Sequence, residues 1–502
     1  AIYSPPPPPA TSHIAKHNAK RRSQHPACVT RGTLAARTCP TQLVGMIKRP
    51  PAPQPLERPL GTVPLLFAMR RNPLGTWTRA HYEEPILHGE SIIGRICVVN
   101  DPAGIRHVLV DNAANYLKDD LQQRLLGPGL AGGLLLAEDD MWRRQRRLLA
   151  PLFTPRAIAG YKPAMAQSAQ WLIERWSRQR PQRVIDVSRE FSRVTLDVLE
   201  RTIFPEGLGR DPSQFIHAVT DYFETAGRVD PLDLLRLPDW LPRLGRARAK
   251  PALEFFGEAV QTIIDKRRAA LAAGISHADR PDLLSALLSA ADPETGAGLS
   301  EEEVRANILT FIGAGHETTA NALTWTVYLL GTHPHWRARA EEEADTLLSA
   351  GRDTPSPEDA PVIRAVLEES MRLYPPAATL TRDAVAADVI CGEKIRAGTR
   401  IVISPWLVQR HKTLWTDADL FDPARFLPGP RDKIDRFAFL PFGAGPRICI
   451  GMGFAMQEAI ILLAFVLKHI RLSPAHKRAP NPVQRVTLRP EGGMPMILQK
   501  RN

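Results

Sequence analysis

Residues 442–451 read Phe-Gly-Ala-Gly-Pro-Arg-Ile-Cys-Ile-Gly, and a strongly apolar segment, MGFAMQEAIILLAFVLKHI, follows from Met452. Gly443, Gly445, Pro446 and Gly451 crowd into ten residues and mark a tight, irregular loop. The apolar run after it has helical length and predicts a helix over 450–468. Cys449 therefore stands at a helix entrance, where free backbone amides and the helix dipole favour a thiolate. Small residues on both sides let a large flat group approach the sulfur. Two readings of Cys449 follow: an axial thiolate for haem iron, or a buried free cysteine, the usual state of a lone Cys. The loop alone does not choose between them.

Three further segments bear on that choice. Glu369-Ser-Met-Arg372 puts an acid and a base three apart on one helix face, which alone is an ordinary surface ion pair. Tyr374-Pro375-Pro376 ends that helix, and Pro423-Ala-Arg425-Phe426 lies downstream, so Arg425 is able to complete a triad with Glu369 and Arg372. Ala314-Gly315-His316-Glu317-Thr318-Thr319 sits inside an apolar helix predicted over 301–331. A glycine, an acid and two threonines suit a buried helix interior poorly. They make sense where the helix opens locally to admit O2 and water, since threonine hydroxyls bend a helix by bonding backward to its carbonyls. Apolar flanks at 308–312 and 322–325 argue against an exposed polar stripe. Trp142-Arg-Arg-Gln-Arg146 projects an indole N–H and a guanidinium together, which suits paired carboxylates such as haem propionates.

The 502 residues are 44% hydrophobic, 24% charged and 6% aromatic, proportions that exclude a disordered or collagen-like chain. No run approaches the roughly 18 to 20 apolar residues of a bilayer span, so no integral membrane anchor is expected. Five cysteines cannot build a disulfide framework, which favours a reducing compartment and a cytoplasmic location. A net charge of +12 invites a nucleic-acid reading, but eight of the basic residues fall in residues 1–50, which hold no Asp or Glu. The body is near neutral, and no nucleic-acid partner is expected. Residues 1–60 carry 12 of the 46 prolines and read as a basic, solvated tail. A targeting helix is disfavoured there, because a proline run breaks it. Helices are also expected near 139–150, 155–178, 187–204, 210–226, 247–273, 335–349 and 361–373, with one opening at Asp101-Pro102. A hairpin is expected at 84–99 and short strands near 379–404 and 483–499. Residues 61–502 thus read as one large domain, mainly α with minor β.

Taken in order, WxxxR at 142–146, AGHETT at 314–319, ExxR at 369–372, PxRF at 423–426 and FGAGPRICIG at 442–451 resemble the cytochrome P-450 family of haem-thiolate monooxygenases. The likeness runs over about residues 60–500. The ordered set is specific, whereas ExxR or WxxxR alone would mean nothing. The resemblance implies a single cytochrome P-450-like domain with haem b between the long central helix and the Cys-loop helix. It implies Cys449 as the axial iron ligand, Glu317 and Thr318 as an acid–alcohol pair for O2 activation, and Gly315 beside the cofactor. It also implies Glu369, Arg372 and Arg425 as a structural triad, and Trp142, Arg146, Arg382 and Arg447 as propionate contacts. The acid is Glu317 where many bacterial members carry Asp. The implied reaction uses O2 and two externally supplied electrons to hydroxylate an apolar organic substrate, fatty acid or terpenoid in kind. The alternatives are a haem-thiolate enzyme without O2 insertion (peroxygenase, dehydratase or isomerase) and a non-catalytic haem sensor. About 50 residues follow the Cys loop, too few for a flavin domain. Electrons are therefore expected from NAD(P)H through separate partners, a ferredoxin or flavodoxin with its reductase. Arg143, Arg144 and Arg147, otherwise solvated charges, would meet that acidic partner.

By family position, residues 120–138 and 210–250 line or cover the substrate side. Leu126, Leu134, Phe215, Phe223, Leu232 and Trp240 make it apolar. Arg243, Arg246 and Arg248 read as a solvated cluster rather than a carboxylate site. Gly127-Pro-Gly129-Leu-Ala-Gly132 fits GxGxxG, but no strand precedes it, and it reads as a loop. His316-Glu317 starts a zinc-protease motif whose second histidine position holds Ala320. Cys97 and Cys391 read as packing residues in strand-like segments.

Overall fold

The computed structural model describes residues 49–502, apart from 92–93, 204–206, 208–210, 227–229, 236, 239, 275–282, 290, 293, 295 and 502. The helices are α1 (Thr62–Arg71), α2 (Pro102–Arg106), α3 (Asp120–Leu130), α4 (Asp139–Leu149), α5 (Pro155–Ser177), α6 (Val187–Ile203), α7 (Pro212–Ala226), α8 (Pro231–Leu234), α9 (Leu244–Ala272), α10 (Leu283–Ser289), α11 (Glu301–Thr332), α12 (Pro334–Ser349), α13 (Pro361–Leu373), α14 (Pro405–Val408) and α15 (Met452–His469). Seven of them open on a proline. At the first turn a fixed φ and a missing N–H cost nothing, so a proline-rich body is compatible with a helical fold. The strands are β1 (Ile86–Ser91), β2 (Gly94–Val99), β3 (Tyr116–Leu117), β4 (Val184–Asp186), β5 (Leu380–Ala384), β6 (Asp388–Ile390), β7 (Glu393–Ile395), β8 (Arg400–Ile403), β9 (Ile470–Pro474), β10 (Pro482–Gln484), β11 (Leu488–Pro490) and β12 (Pro495–Lys500).

The chain is mainly α with minor β, as its periodicity implies. The main sheet runs β1-β2-β8-β5-β3. Its β1–β2 hairpin pairs Ile86 with Val99, and β2 lies parallel to β8 with Cys97 opposite Ile401. Pairing of Leu117 with Asp383 ties β3 to β5 and sets the start of α3 beside Arg382. A second sheet, β4-β12-β9, and the hairpins β6–β7 and β10–β11 complete the β content.

α11 runs through the core. Its 32 residues span about 48 Å at 1.5 Å per residue. Ser300 and Glu303 close a capping box at its start, and three glutamates in the first turn complement the helix dipole. α11 packs against α6, α13 and α15, and α15 packs against α5 and α12. α15 is long and apolar enough to cross a membrane by composition, contrary to the expectation that no such run exists. It is instead a core helix: 67% of it is buried inside the protein.

Three other expectations change. Residues 1–48 of the assigned tail lie outside the described residues, but its end is held by the body. The Tyr374 hydroxyl donates to Pro51 O at 2.8 Å, and Leu56 bridges Thr78. Extended proline-rich backbone keeps its carbonyls free for such contacts. Gly127 to Gly129 form the last turn of α3 rather than a loop, with Pro128 inside the helix. Cys391 is exposed at a hairpin turn with φ +49°, while Cys97 is buried as expected.

Candidate active site

The Cys loop needs its glycines. Gly443 and Gly445 have φ of +72° and +73°, the left-handed region that side chains disfavour. A Cβ on Gly445 would fall 1.8 Å from Leu109 O. The loop closes through Cys449 N–H to Phe442 O at 3.0 Å and delivers the cysteine two residues ahead of Gly451, the N-cap of α15. Cys449 is exposed, yet enough protein surrounds the sulfur that burial pushes its thiol pKa up. The Gly451 amide and the nearby Arg146 charge pull it back down. The Cys449 side chain is thus accessible while the protein around its sulfur still disfavours the charged form.

α11 shows the same signature. Between residues 306 and 330 only Ala314 is exposed, and Thr318, one turn on, is half-buried. The Thr318 hydroxyl donates to Ala314 O at 2.7 Å, so both mark one face of a helix that is otherwise core. The missing Cβ of Gly315 lies 3.0 Å from Leu199 of α6, so the glycine permits close packing of α6 on α11.

A basic cluster borders the loop. Arg447 donates to Ala137 O at 2.6 Å, pairs with Glu138, and stacks 4.1 Å above the Trp142 ring. Arg382 lies within electrostatic reach of Arg447, Glu138 and Asp119, and burial lowers its pKa. Burial, with repulsion from Arg447 and Arg382, pushes Lys118 down to about 7. Three desolvated cations facing mainly Glu138 leave an excess of positive charge that suits additional carboxylates. Lys118 was not singled out from sequence, because only the β3–β5 register brings it beside Arg382. The donors fit haem: an accessible cysteine sulfur, a small-residue loop, and cations for two propionates.

Glu317 is buried and turned toward the C-terminal hairpin. Its Oε1 accepts from the Thr487 hydroxyl at 2.6 Å and lies 3.7 Å from Arg489 Nη1, while its Oε2 has no hydrogen-bond partner. Burial raises its pKa, against the pull of Arg489 and Thr487. His316 bonds Ile312 O of its own helix at 2.6 Å, and burial keeps its pKa low. Among the described residues no cluster of three His, Cys, Asp or Glu side chains could hold a metal ion.

The triad is assembled. Arg372 Nε and Nη2 donate to Glu369 Oε2 and Oε1 at 2.6 and 2.8 Å, and Arg425 Nε is 3.7 Å from Glu369. Other expected charges are committed within the chain. Arg143 pairs with Asp140, Arg144 with Glu303, and Arg147 with Asp292 and Glu294. Arg243 is buried on Asp233 at 2.6 Å rather than solvated, Arg248 is exposed, and the Arg246 side chain lies outside the described residues. Leu126 and Phe215 are core residues, whereas Trp240 is 79% exposed. The Phe223 side chain is likewise not described.

Comparison with known proteins agrees with this geometry. The family model described as cytochrome P-450 matches residues 82–496. Cyclooctatin synthase of Streptomyces melanosporofaciens is 34% identical, over 78% of this chain and 83% of that protein. Cyclooctat-9-en-7-ol 5-monooxygenase of the same organism is 33% identical, over 84% and 91%. A crystal structure of a cytochrome P-450, CYP102L1, superposes with a TM-score of 0.75 at 28% identity, covering 90% of this chain and all of that one. With its cysteine loop, buried triad and central helix in place, the chain belongs to the cytochrome P-450 family of haem-thiolate monooxygenases.

Proposed function

We propose that this enzyme hydroxylates an apolar, terpenoid-like or fatty-acid substrate, with electrons from NAD(P)H delivered by a separate ferredoxin or flavodoxin and its reductase. The observation that carries the reading is the accessible but desolvated Cys449 sulfur, with α11 presenting Ala314 and Thr318 to an interior space. Haem bound there would supply O2 activation, placing one oxygen atom in a C–H bond and releasing the other as water. The chain supplies the rest. Burial keeps the Cys449 thiol pKa raised against the opposing pull of the Gly451 amide and Arg146, and iron ligation would deprotonate it. Trp142, Lys118, Arg382 and Arg447 orient the propionates. Thr318 holds water on the α11 face, and Glu317, turned to Thr487 and Arg489, is the nearby buried acid that holds a proton.

Val219, Phe256, Leu309 and Ile312 meet against α11 around a void of about 20 Å³, so the packing on this side of α11 is apolar, which favours a hydrocarbon substrate. The relative named for cyclooctat-9-en-7-ol, a ring alcohol by its name, favours the terpenoid. Cys97, Cys391 and Cys449 are all free, which suits the cytoplasm. The test is spectral. Carbon monoxide on the reduced haem protein should give the thiolate signature, and terpenoids should shift the resting spectrum more strongly than fatty acids. Hydroxylation should then require O2 and a reconstituted redox chain. Product formed equally well from peroxide alone would favour the peroxygenase alternative, and a spectrum without thiolate character would overturn the reading.

A further inference from the structure

A cleft of about 600 Å³ opens between the C-terminal end of α11 and the C-terminal strands. Much of its wall is proline. Pro474, Pro482 and Pro495 stand at the ends of β9, β10 and β12, where no ladder N–H is needed, and Pro51 and Pro480 join them. Such walls offer hydrocarbon with a fixed backbone, so their shape exists before a ligand arrives. Tyr328 of α11 also lines the cleft and is only 7% exposed. Its ring meets Trp325 edge-on at 6.0 Å, and Trp325 stacks on Tyr374 at 3.9 Å. Tyr374 in turn holds the carbonyl of Pro51. One aromatic stack therefore braces both Tyr328 and the Pro51 wall. Tyr328 lies ten residues past Thr318, about 15 Å along α11, so the cleft is remote from the oxygen face of that helix.

Three polar groups of this lining are uncommitted. The Tyr328 hydroxyl, the Arg478 guanidinium and the His476 imidazole make no hydrogen bond or ion pair among the described residues. For Tyr328 that is an exception. Tyr116, Tyr222 and Tyr374 are similarly buried, and their hydroxyls donate to Asp388, Leu126 O and Pro51 O at 2.6, 3.1 and 2.8 Å. A hydroxyl this buried ordinarily has a partner. Arg478 and His476 are exposed at the rim, and Lys477 between them is likewise unpaired among the described residues. Glu491, the acid of the lining, accepts from Asn481 at 2.9 Å. The cleft thus combines an apolar wall, an inner hydroxyl and a free guanidinium at its mouth.

We propose that this cleft is a second binding site, separate from the Cys449 site, for an amphipathic carboxylic acid. The hydrocarbon body packs on the prolines and Met494. The carboxylate pairs with Arg478 at the rim, where a guanidinium matches its two oxygens. An oxygen carried on the hydrocarbon body accepts from the Tyr328 hydroxyl. The volume is that of a site for a small organic molecule. A ligand seated there touches Pro51 on one side and the 476–482 segment on the other. It therefore ties the start of the body to the C-terminal strands, and stabilises the folded chain in proportion to its occupancy. The site does not depend on which compound is hydroxylated.

The test is amide hydrogen exchange on the resting haem-loaded enzyme, with deoxycholate below its micelle concentration as the probe. This rigid acid carries a carboxylate and ring hydroxyls. Residues 476–481 should gain saturable protection, and the concentration dependence gives a Kd. Arg478→Gln should raise that Kd about tenfold and Tyr328→Phe about threefold, the usual difference between a charged and a neutral hydrogen bond. The methyl ester of deoxycholate should bind wild type about tenfold more weakly than the acid, and Arg478→Gln should no longer tell the two apart. Both variants should keep the wild-type haem spectrum. Absence of saturable protection, an unchanged Kd in both variants, or equal binding of acid and ester would overturn the site. Protection that follows a haem spectral shift and is indifferent to both variants would put the probe at the Cys449 site instead. A 476–481 loop already protected without probe would mean that the cleft is filled from within the chain, and would overturn the proposal as well.

Discussion

Replacing Arg372 by Met should be among the most damaging single changes in this fold. Arg372 and Glu369 are both fully buried and joined by two short hydrogen bonds. The guanidinium also donates to the carbonyls of Gln409, Ala418 and Leu420 at 2.7, 2.8 and 2.9 Å, and lies 5.0 Å over the Trp415 ring. Methionine keeps the length and helix propensity of the side chain but provides none of these bonds. Glu369 would keep the Asp422 amide at 2.8 Å and Arg425 at 3.7 Å. Removing one partner of a buried pair costs about 3–5 kcal/mol, a large share of the roughly 5–15 kcal/mol that holds a domain together. The loss should be local as well. Gln409, whose backbone Arg372 holds, also accepts from Leu440 N–H at 2.8 Å, just before the Cys loop. Urea unfolding followed by circular dichroism should therefore lose about 4 kcal/mol, and haem absorbance should fall at lower urea than helicity. Arg79→Met breaks only an exposed pair with Glu57 and should leave both curves unchanged. An Arg372→Met loss below about 1 kcal/mol, with haem retained to the wild-type midpoint, would refute the reasoning.

Gly445→Ala should prevent stable haem loading, since a left-handed residue must also accept a Cβ placed 1.8 Å from a carbonyl oxygen. A cost of at least about 1–3 kcal/mol is expected from the backbone alone, read as a lower thermal midpoint and a lower haem-to-protein ratio. Glu458→Gln should flatten the pH dependence of stability. Glu458 is fully buried on α15 and burial raises its pKa well above 4.5, so the folded state keeps a proton that the unfolded chain releases above that pH. Stability therefore falls as pH rises from 4.5 toward the folded pKa, by up to about 1.4 kcal/mol per pH unit. The glutamine variant lacks this slope and should gain on wild type as pH rises; parallel curves in denaturant titrations would contradict the assignment. Thr318→Ala should divert electrons to peroxide or water while stability stays within about 1 kcal/mol, because its hydroxyl bonds only its own helix carbonyl in the folded chain. Product per NAD(P)H consumed is the measurement, and an unchanged ratio would remove Thr318 from proton handling.

Most helices were legible because their apolar spacing and their punctuation agree. α11 carries its capping box in the sequence, and the seven proline-led helices announce their own starts. α3 was missed for the same reason: Gly127, Pro128 and Gly129 spell a turn, and only contacts with neighbouring elements keep them helical. The ligand cysteine and the Glu369–Arg372 pair were legible because local spacing fixes their geometry. Lys118 was not, since its meaning comes from a strand pairing with residues some 260 positions away.

The same distinction explains why charge was read less well than shape. Arg144 and Arg147 look like part of a free basic face because their partners, Glu303, Asp292 and Glu294, stand on or before a helix about 150 residues later, while Arg143 pairs with Asp140 in its own helix. Once paired, such charges have little left to offer an acidic partner. Glu317 is the converse case. Adjacent to Thr318 in sequence, it reads as half of one pair, but helix geometry turns successive side chains about 100° apart. One side chain therefore faces the interior space while the other reaches the hairpin at Thr487 and Arg489. For the two to act in one proton path, the acid must exchange its hairpin contacts for the α11 face during turnover.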